Sequence, residues 1–153
     1  MIRKATEDDI PLIIGDLGQR FHAKSREIAE IHRPTAIAVM RAFVHARDKL
    51  FIVSEHDEHL RGLLMAAVEQ YWFADPQRGR RYVTDWAFYS EIKGDGILML
   101  KAMTEWAWMQ PRVVEVKCAT QVPKGRGVVD RLFSSAGFTR VGGMYNMRKP
   151  SGD

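Results

Sequence analysis

The hydrophobic positions at the start of the chain predict a strand followed by a helix. Met1 to Ala5 is expected to be a short strand, with Ile2 pointing inward. Thr6 followed by Asp9 resembles a capping box in which Asp replaces the usual Glu or Gln, so we expect a helix from about Glu7 to about Arg20. Helical spacing is shared by Ile10, Ile13, Ile14, Leu17 and Phe21.

The middle of the chain reads as a second helix and an antiparallel meander. Pro34 and Thr35 open the helix, and the polar stretch before it, His22 to Arg33, fits either a helix extension or a loop. Three strands are then predicted, and turn-forming composition separates them. These strands are Leu50 to Ser54, Leu60 to Phe73 and Arg81 to Tyr89, with turns at Glu55 to His59 and Ala74 to Gly79.

The last third predicts an alternation of helices and strands. A long helix ends before Pro111, and a shorter helix is stopped by Gly137, the usual residue just after a helix end. The element order β-α-α-β-β-β-α-β-α-β indicates one mixed α/β domain over residues 1–150, with a frayed tail at 151–153. The predicted elements are the helix Ile97 to Met109, the mostly buried strand Arg112 to Cys118, the helix Gly127 to Ala136 and the strand Thr139 to Met147.

Composition narrows the class of protein. With 153 residues, 46% of them hydrophobic and 27% charged, the chain has the profile of a folded domain and not of a disordered protein. A formal charge of +4 suits an anionic ligand. The single cysteine excludes an intramolecular disulfide or a Cys-rich zinc site. No apolar run is typical of a signal peptide or a membrane span, so we expect a cytoplasmic protein.

Candidate chemistry is concentrated between Asp85 and Met103, where a strand, a tight loop and a long helix follow one another. Gly94 and Gly96 let the backbone of the loop approach a ligand, and the first turn of the helix favours an anion such as a pyrophosphate. Lys93 adds a positive charge there. A simple turn between strand and helix would explain the same glycines.

Two motifs in this context resemble those of the GCN5-related N-acetyltransferase superfamily. The strand Asp85 to Ser90 is followed by Glu91-Ile92-Lys93-Gly94-Asp95-Gly96, at the place of the family's Q/R-x-x-G-x-G/A loop. Leu132 to Phe138 matches the family's L-Y-E-x-x-G-F helix end. The resemblance covers nearly the whole chain.

The resemblance implies a mixed, mostly antiparallel sheet with a splayed parallel strand pair, flanked by helices. It also implies an acetyltransferase that moves an acetyl group from acetyl-coenzyme A (acetyl-CoA) to a primary amine, by direct attack in a ternary complex and without a metal. The strand at Asp85 to Tyr89 would hold the pantetheine arm, Val116 to Thr120 would face it, and the loop would hold the pyrophosphate. The implied cofactor-binding residues are Ala87, Phe88, Tyr89, Lys93, Gly94, Asp95, Gly96, Ile97 and Thr120.

The amine must lose a proton before it attacks, so a general base is expected. Asp85 is the first candidate and Glu69 the second, although either fits equally a surface carboxylate or an ion-pair partner of an arginine. Tyr145 is the first candidate for the general acid, and Tyr89 is the second.

Three departures from the family pattern leave a second hypothesis open. Glu91 stands where Gln or Arg is usual, Phe133 where a Tyr often protonates the leaving thiolate, and Arg126 where an Asn often contacts pantetheine. These departures favour, as the alternative, a catalytically silent domain that senses CoA or binds another protein. Lys124 and Arg126 fit either the acidic parts of the cofactor or solvated surface.

Other features carry weaker hypotheses. The EHDEH segment from Glu55 to His59 is interpreted as a solvated turn, and Cys118 as a core residue. The aromatic run Tyr71 to Phe73 would line a substrate pocket or a homodimer contact. It lies beside the basic cluster Arg78, Arg80 and Arg81, which leaves nucleic-acid binding as a third, less favoured hypothesis.

Overall fold

A five-stranded sheet in the order β1-β2-β3-β4-β5 forms the centre of the molecule. The computed structural model describes residues 1–24, 30–119 and 126–142. The first four strands are antiparallel, which confirms the predicted meander for β2, β3 and β4, and β5 runs parallel to β4. The strands are β1 (Ile2–Lys4), β2 (Lys49–His56), β3 (His59–Gln70), β4 (Arg81–Ser90) and β5 (Val113–Lys117).

The predicted first helix is longer than expected, and its geometry changes from α-helical to π-helical and back. A π-helical turn, Ile13–Leu17, separates two α-helical parts. At the start, Asp9 reaches back to accept the Thr6 N–H at 2.7 Å, which is half of the predicted capping box, and Arg3 forms an ion pair with the same carboxylate at 2.8 Å. The helices are α1 (Asp9–Leu12), α2 (Gly18–Lys24), α3 (Arg33–His45), α4 (Asp95–Trp108) and α5 (Arg126–Ser135).

Each face of the sheet carries its own hydrophobic core. Alternate residues of a strand point to opposite faces, and the two sets meet different helices. On one face, the segment from α1 to α3 buries side chains such as Ile13 and Phe43. On the other face, α4 buries Met99 and Met103, and Leu132 of α5 packs at its margin. We call these the α3 face and the α4 face.

The end of the chain agrees in part with the predictions. Gly137 has a φ of +90°, and Phe138 donates its N–H to the Phe133 carbonyl at 3.0 Å, which confirms the glycine stop after α5. Residues 139–142 form no strand, and the rest of the predicted final strand and the tail 151–153 lie outside the described residues. The prediction of a mostly buried β5 is wrong, since Val114 is 48% exposed. Within the described ranges β5 has only β4 as a neighbour.

Candidate functional site

The parallel strands β4 and β5 pair only along part of β4. The paired positions run from Arg81 with Val113 to Thr84 with Lys117. Beyond Thr84, β4 continues to Ser90 and remains paired with β3 alone among the described strands. One backbone edge of the segment from Asp85 to Ser90 is therefore left without a strand partner in the described part of the chain. A ligand with amide groups can hydrogen-bond to such an edge.

A β-bulge lies where the pairing with β5 stops. Met65 is paired with Ala87 and Ala66 with Asp85, so Trp86 is the extra residue on β4. A bulge bends a strand and increases its twist, which helps β4 diverge from β5. The Trp86 side chain is 56% exposed and meets the Phe43 ring edge-on at 5.2 Å between centroids.

Asp85 bridges the point of divergence. Its Oδ1 accepts the Ala119 N–H at 3.0 Å, which links β4 to the backbone just after β5. Asp85 lies two residues after Val83 and shares its orientation toward the α4 face. Burial raises the pKa of Asp85, and the hydrogen bond from Ala119 only partly offsets that effect. Asp85 is thus a carboxyl group poised to hold or release a proton at higher pH than usual.

The second candidate base lies on the other face. Glu69 is paired with Tyr82 and shares the orientation of Ala67, which belongs to the core under α3. The structure therefore does not bring Glu69 and Asp85 together in one cluster. No hydrogen bond or ion pair of Glu69 exists within the described residues.

The loop after β4 presents backbone donors. Gly94 has a φ of +95°, a conformation that favours glycine, and the space that a Cβ there would occupy is open. The Asp95 N–H donates to the Ile92 carbonyl at 3.2 Å. Gly96 and Ile97 follow in the first turn of α4, where N–H groups have no partner within the helix, and none of the described acceptors takes them. The exposed Lys93 stands beside these donors.

The Asp95 side chain points away from the loop. It is 8% exposed, accepts a hydrogen bond from Ser54 and lies 2.7 Å from His56 Nε2. The Asp95 N–H and carboxylate both have partners inside the protein, which leaves the Gly96 and Ile97 N–H groups as the donors of that turn without an acceptor among the described residues. One expectation is corrected. His56 is not simply a solvated turn residue, because it contacts a buried carboxylate.

Glu91 is held by two arginines. Arg20 Nε donates to Glu91 at 2.7 Å and Arg61 lies at 3.5 Å, while the Tyr89 hydroxyl donates to the same carboxylate at 3.0 Å. Although burial alone would raise the pKa of Glu91, these hydrogen bonds and the Arg20 charge hold it below its usual value. The acidic residue at this position is thus neutralised locally by Arg20 and Arg61.

Of the remaining predicted site residues, some pack at the margins of the two cores and others lie outside the described residues. Ala87 packs at the margin of the α3-face core and Phe88 at that of the α4-face core, so each side chain is partly buried inside the protein. Phe133 packs edge-on against Phe88 and Phe138, with ring centroids 6.2 and 5.5 Å apart. Thr120, Lys124 and Tyr145 lie outside the described residues.

Cys118 behaves as the core residue that its sequence context predicts. It packs at the margin of the core under α4, and burial, together with the Asp85 charge, raises the pKa of its thiol well above the ordinary value. A thiol with a raised pKa is a poor nucleophile at neutral pH. Cys118 is not a candidate for covalent catalysis.

Sequence reasoning missed Ser54, His56 and Arg20. The contact between His56 and Asp95 spans 39 residues and that between Arg20 and Glu91 spans 71, so no local pattern reports them. Within residues 1–24, 30–119 and 126–142, no group of three or more His, Cys, Asp or Glu side chains is arranged to hold a metal ion. None of the described helices is long and apolar enough to span a membrane.

Comparison with known proteins found solved structures that are similar to this chain. No family model and no curated protein matches the chain. A protein of Clostridium acetobutylicum described as a predicted acetyltransferase and solved with acetyl-CoA is 14% identical, with a TM-score of 0.71 over 97% of this chain and 95% of that one. The enzyme AAC(6′)-Iy, solved with a bisubstrate analogue containing CoA, is 14% identical, with a TM-score of 0.69 over 97% of each chain.

A third structure carries a different description. A transcriptional regulator of Bacillus halodurans is 17% identical, with a TM-score of 0.67 over 97% of this chain and 99% of that one. These identities establish the fold and leave the activity to be argued from the site. The order of the strands, the diverging parallel pair and these likenesses together show that the chain has the fold of the GCN5-related N-acetyltransferase superfamily.

Proposed function

We propose that the chain transfers an acetyl group from acetyl-CoA to a primary amine, by direct attack of the amine on the thioester in a ternary complex. The observation that carries the proposal is the divergence of β4 from β5 next to the glycine loop of α4. Among the described residues, a strand edge without a strand partner and helix amides without an acceptor are joined by one loop, and together they match a ligand with an amide-bearing arm and a pyrophosphate.

The residues present fit both parts of CoA. The Gly96 and Ile97 N–H groups and the Lys93 ammonium would bind the pyrophosphate, and the open space at Gly94 leaves room for it. The backbone from Ala87 to Tyr89 would pair with the arm. At about 3.3 Å per residue, β4 runs roughly 16 Å from Ser90 back to Asp85. An arm extended along it would therefore place its reactive end near Asp85 and Trp86.

Asp85 is our choice for the general base. CoA supplies an activated thioester, and the protein must then take a proton from the attacking amine, directly or through water. The raised pKa of Asp85 moves its proton affinity toward that of a useful base at neutral pH. Tyr145 remains the proposed acid, and Tyr89 is the weaker choice because its hydroxyl already donates to Glu91.

The α3 face at the divergence favours a cationic acceptor. Trp86 offers exposed aromatic surface there, and Glu69 offers a half-buried carboxylate with no partner among the described residues. The Tyr82 ring is already covered by the Lys117 ammonium, 4.6 Å from its centroid. An ammonium group is attracted both to a carboxylate and to the face of an aromatic ring. We therefore propose that Glu69 attracts a second cationic group of the acceptor and takes no part in deprotonating the amine that attacks the thioester.

A second candidate function is a CoA-sensing or protein-interaction module without turnover. Phe133 favours it, because its ring is packed between Phe88 and Phe138 and carries no hydroxyl to protonate a leaving thiolate. The Bacillus halodurans neighbour shows that a protein described as a regulator has this fold. The enzyme and the CoA sensor share CoA binding and differ in turnover, whereas a protein-interaction module needs neither.

Calorimetric titration with acetyl-CoA tests the binding site. We expect the wild type to bind and Gly94→Glu to bind at least tenfold more weakly, since its carboxylate would enter the pyrophosphate position. Gly137→Glu is the matched control, because Gly137 has a similar φ and equally open space at the end of α5. No binding by the folded wild type would refute the enzyme and the CoA sensor and leave the protein-interaction module. Binding without thiol release across a broad panel of amines would favour the silent module.

A further inference from the structure

The first turn of α4 carries a buried carboxylate that is not needed to cap the helix. Asp95 is the first residue of α4 and is 8% exposed. A carboxylate near a helix N-terminus is favoured by the helix dipole, but a buried one also needs hydrogen-bond donors. At Asp95 these donors come from another element.

Both donors are on β2. Ser54, which is completely buried, donates its hydroxyl to Asp95 Oδ2, and His56 Nε2 lies 2.7 Å from the same oxygen. Although burial alone would raise the pKa of Asp95, the hydrogen bonds from Ser54 and His56 hold it below its ordinary value. The carboxylate is therefore ionised and bound on the side of α4 that faces the sheet.

Gly62 allows this close approach. It is paired with Ser54, and a Cβ at Gly62 would lie 2.9 Å from the Tyr89 carbonyl oxygen and 3.1 Å from Met99 Cε. The Met99 methyl can turn aside, but the Tyr89 carbonyl is backbone, so a larger residue at position 62 would displace the end of β4 just before the loop. The small residue at position 62 and the hydrogen bonds to Asp95 thus both hold this region in place.

The arrangement is not a nucleophilic triad. In a Ser-His-Asp triad the histidine lies between the serine and the carboxylate. Here Ser54 and His56 both contact the carboxylate, and Ser54 has no access to solvent. The cluster joins two elements and has no reacting group.

We propose that Ser54, His56 and Asp95 form a clamp that fixes the first turn of α4 on β2, so that the Gly96 and Ile97 N–H groups are positioned for the pyrophosphate of CoA. This inference rests on the function proposed above. In it, Ser54 and His56 are positioning residues that touch no substrate. The clamp also directs the Asp95 charge away from the anion that the same turn would bind.

The test uses His56→Ala, with His56→Gln as the conservative variant that retains an N–H donor. His59→Ala is the matched control, because His59 is paired with His56 across the same hairpin and is exposed. Each protein is titrated with CoA and with pantetheine, which has the same arm but no pyrophosphate. Thermal melting verifies that each variant is folded, and Ser54→Ala replaces His56→Ala if the latter does not fold.

We expect His56→Ala to weaken CoA binding about tenfold, the effect of one charge-assisted hydrogen bond, with pantetheine binding unchanged. His56→Gln should recover most of the loss, and His59→Ala should bind as the wild type does. Unchanged CoA affinity in His56→Ala would overturn the clamp, and so would an equal loss for CoA and pantetheine. Failure of the wild type to bind CoA would instead overturn the proposed function.

Discussion

At the scale of single residues, Asp85 has two roles that compete for one carboxyl group. Its hydrogen bond from Ala119 closes the end of the β4–β5 gap, which is a structural role. Its burial raises its pKa, which suits a base. Asparagine retains an oxygen that accepts the Ala119 N–H but takes up no proton at neutral pH, so Asp85→Asn separates the two roles.

We predict that Asp85→Asn lowers kcat/KM by about 10²–10⁴-fold, the usual contribution of a general base. It should not destabilise the protein at neutral pH. The folded state binds the Asp85 proton more tightly than the unfolded chain, so stability is lost as pH rises from about 4 through the raised pKa. The variant lacks this loss, and its Tm relative to the wild type should increase from pH 4 to pH 7. Thermal melts across that range, with thiol-release kinetics, measure both effects.

An unchanged kcat/KM would show that Asp85 is not the base. A Tm that falls at neutral pH would assign it a structural role instead. Glu69→Gln is the comparison variant. According to the proposed division of roles, it should raise the KM for an acceptor with a second cationic group and leave the KM for acetyl-CoA unchanged.

At the scale of elements, Glu91 connects α2 to the end of β4. Arg20 on α2 donates to Glu91 and also to the Leu60 carbonyl at 3.1 Å, so three elements meet at one guanidinium. The resemblance marks Glu91 as a departure from the family pattern, because Gln or Arg is usual at this position. The structure shows a residue that holds the loop to the α3 face.

We predict that Glu91→Gln destabilises the protein by about 1 kcal/mol at pH 7, a modest value because the Arg20 side chain is 30% exposed and solvent screens the pair. The pKa of Glu91 is lowered in the folded state, so its contribution is present above the unfolded value and is lost as pH falls through the folded one. Denaturant unfolding should thus show a difference that is largest near pH 7 and vanishes at low pH. A constant difference at all pH values would contradict the ion pair as the cause.

A helix or strand could be predicted where the residues that determine it are close together in the sequence. Turn-forming composition and the alternation of Arg81 to Tyr89 identified the meander, and Gly137 identified the end of α5, because each depends on neighbours in sequence. The inward direction of Asp95 was not predictable, since a loop rich in glycine looks the same whether its carboxylate faces a ligand or the sheet. That direction is decided by Ser54 and His56, 41 and 39 residues away. The sequence predicted the segment that carries the candidate site. The residues that contact this segment from other elements are seen only in the folded structure.

At the scale of the whole molecule, the connection between β3 and β4 exposes large aromatic side chains. Trp72 is 94% exposed and Phe73 71%, and the two rings meet edge-on at 5.4 Å. Exposed aromatic surface of this kind is typical of an interface. It motivates the expected homodimer.

We predict that the wild type has about twice the chain mass of 17.5 kDa in solution, and that Trp72→Ser with Phe73→Ser has the chain mass itself. Light scattering after size exclusion measures both. Trp108→Ser is the control, because Trp108 is also exposed but lies at the end of α4. A monomeric wild type would refute the predicted homodimer. A double variant that remains dimeric would show that the interface does not depend on Trp72 and Phe73.

CoA binding should also stabilise the whole fold, because only the folded chain brings the β4 edge and the α4 amides together. At one hundred times its Kd, a ligand adds about 2.7 kcal/mol, and each kcal/mol raises the Tm of a domain of this size by about 2–4 °C. We predict a rise of roughly 5–10 °C with saturating CoA and a much smaller rise for Gly94→Glu. A DNA duplex is the contrasting ligand, since a chain of charge +4 attracts any polyanion. A rise with DNA that high salt removes, without a rise with CoA, would favour the nucleic-acid hypothesis, because nonspecific binding to phosphates depends steeply on salt.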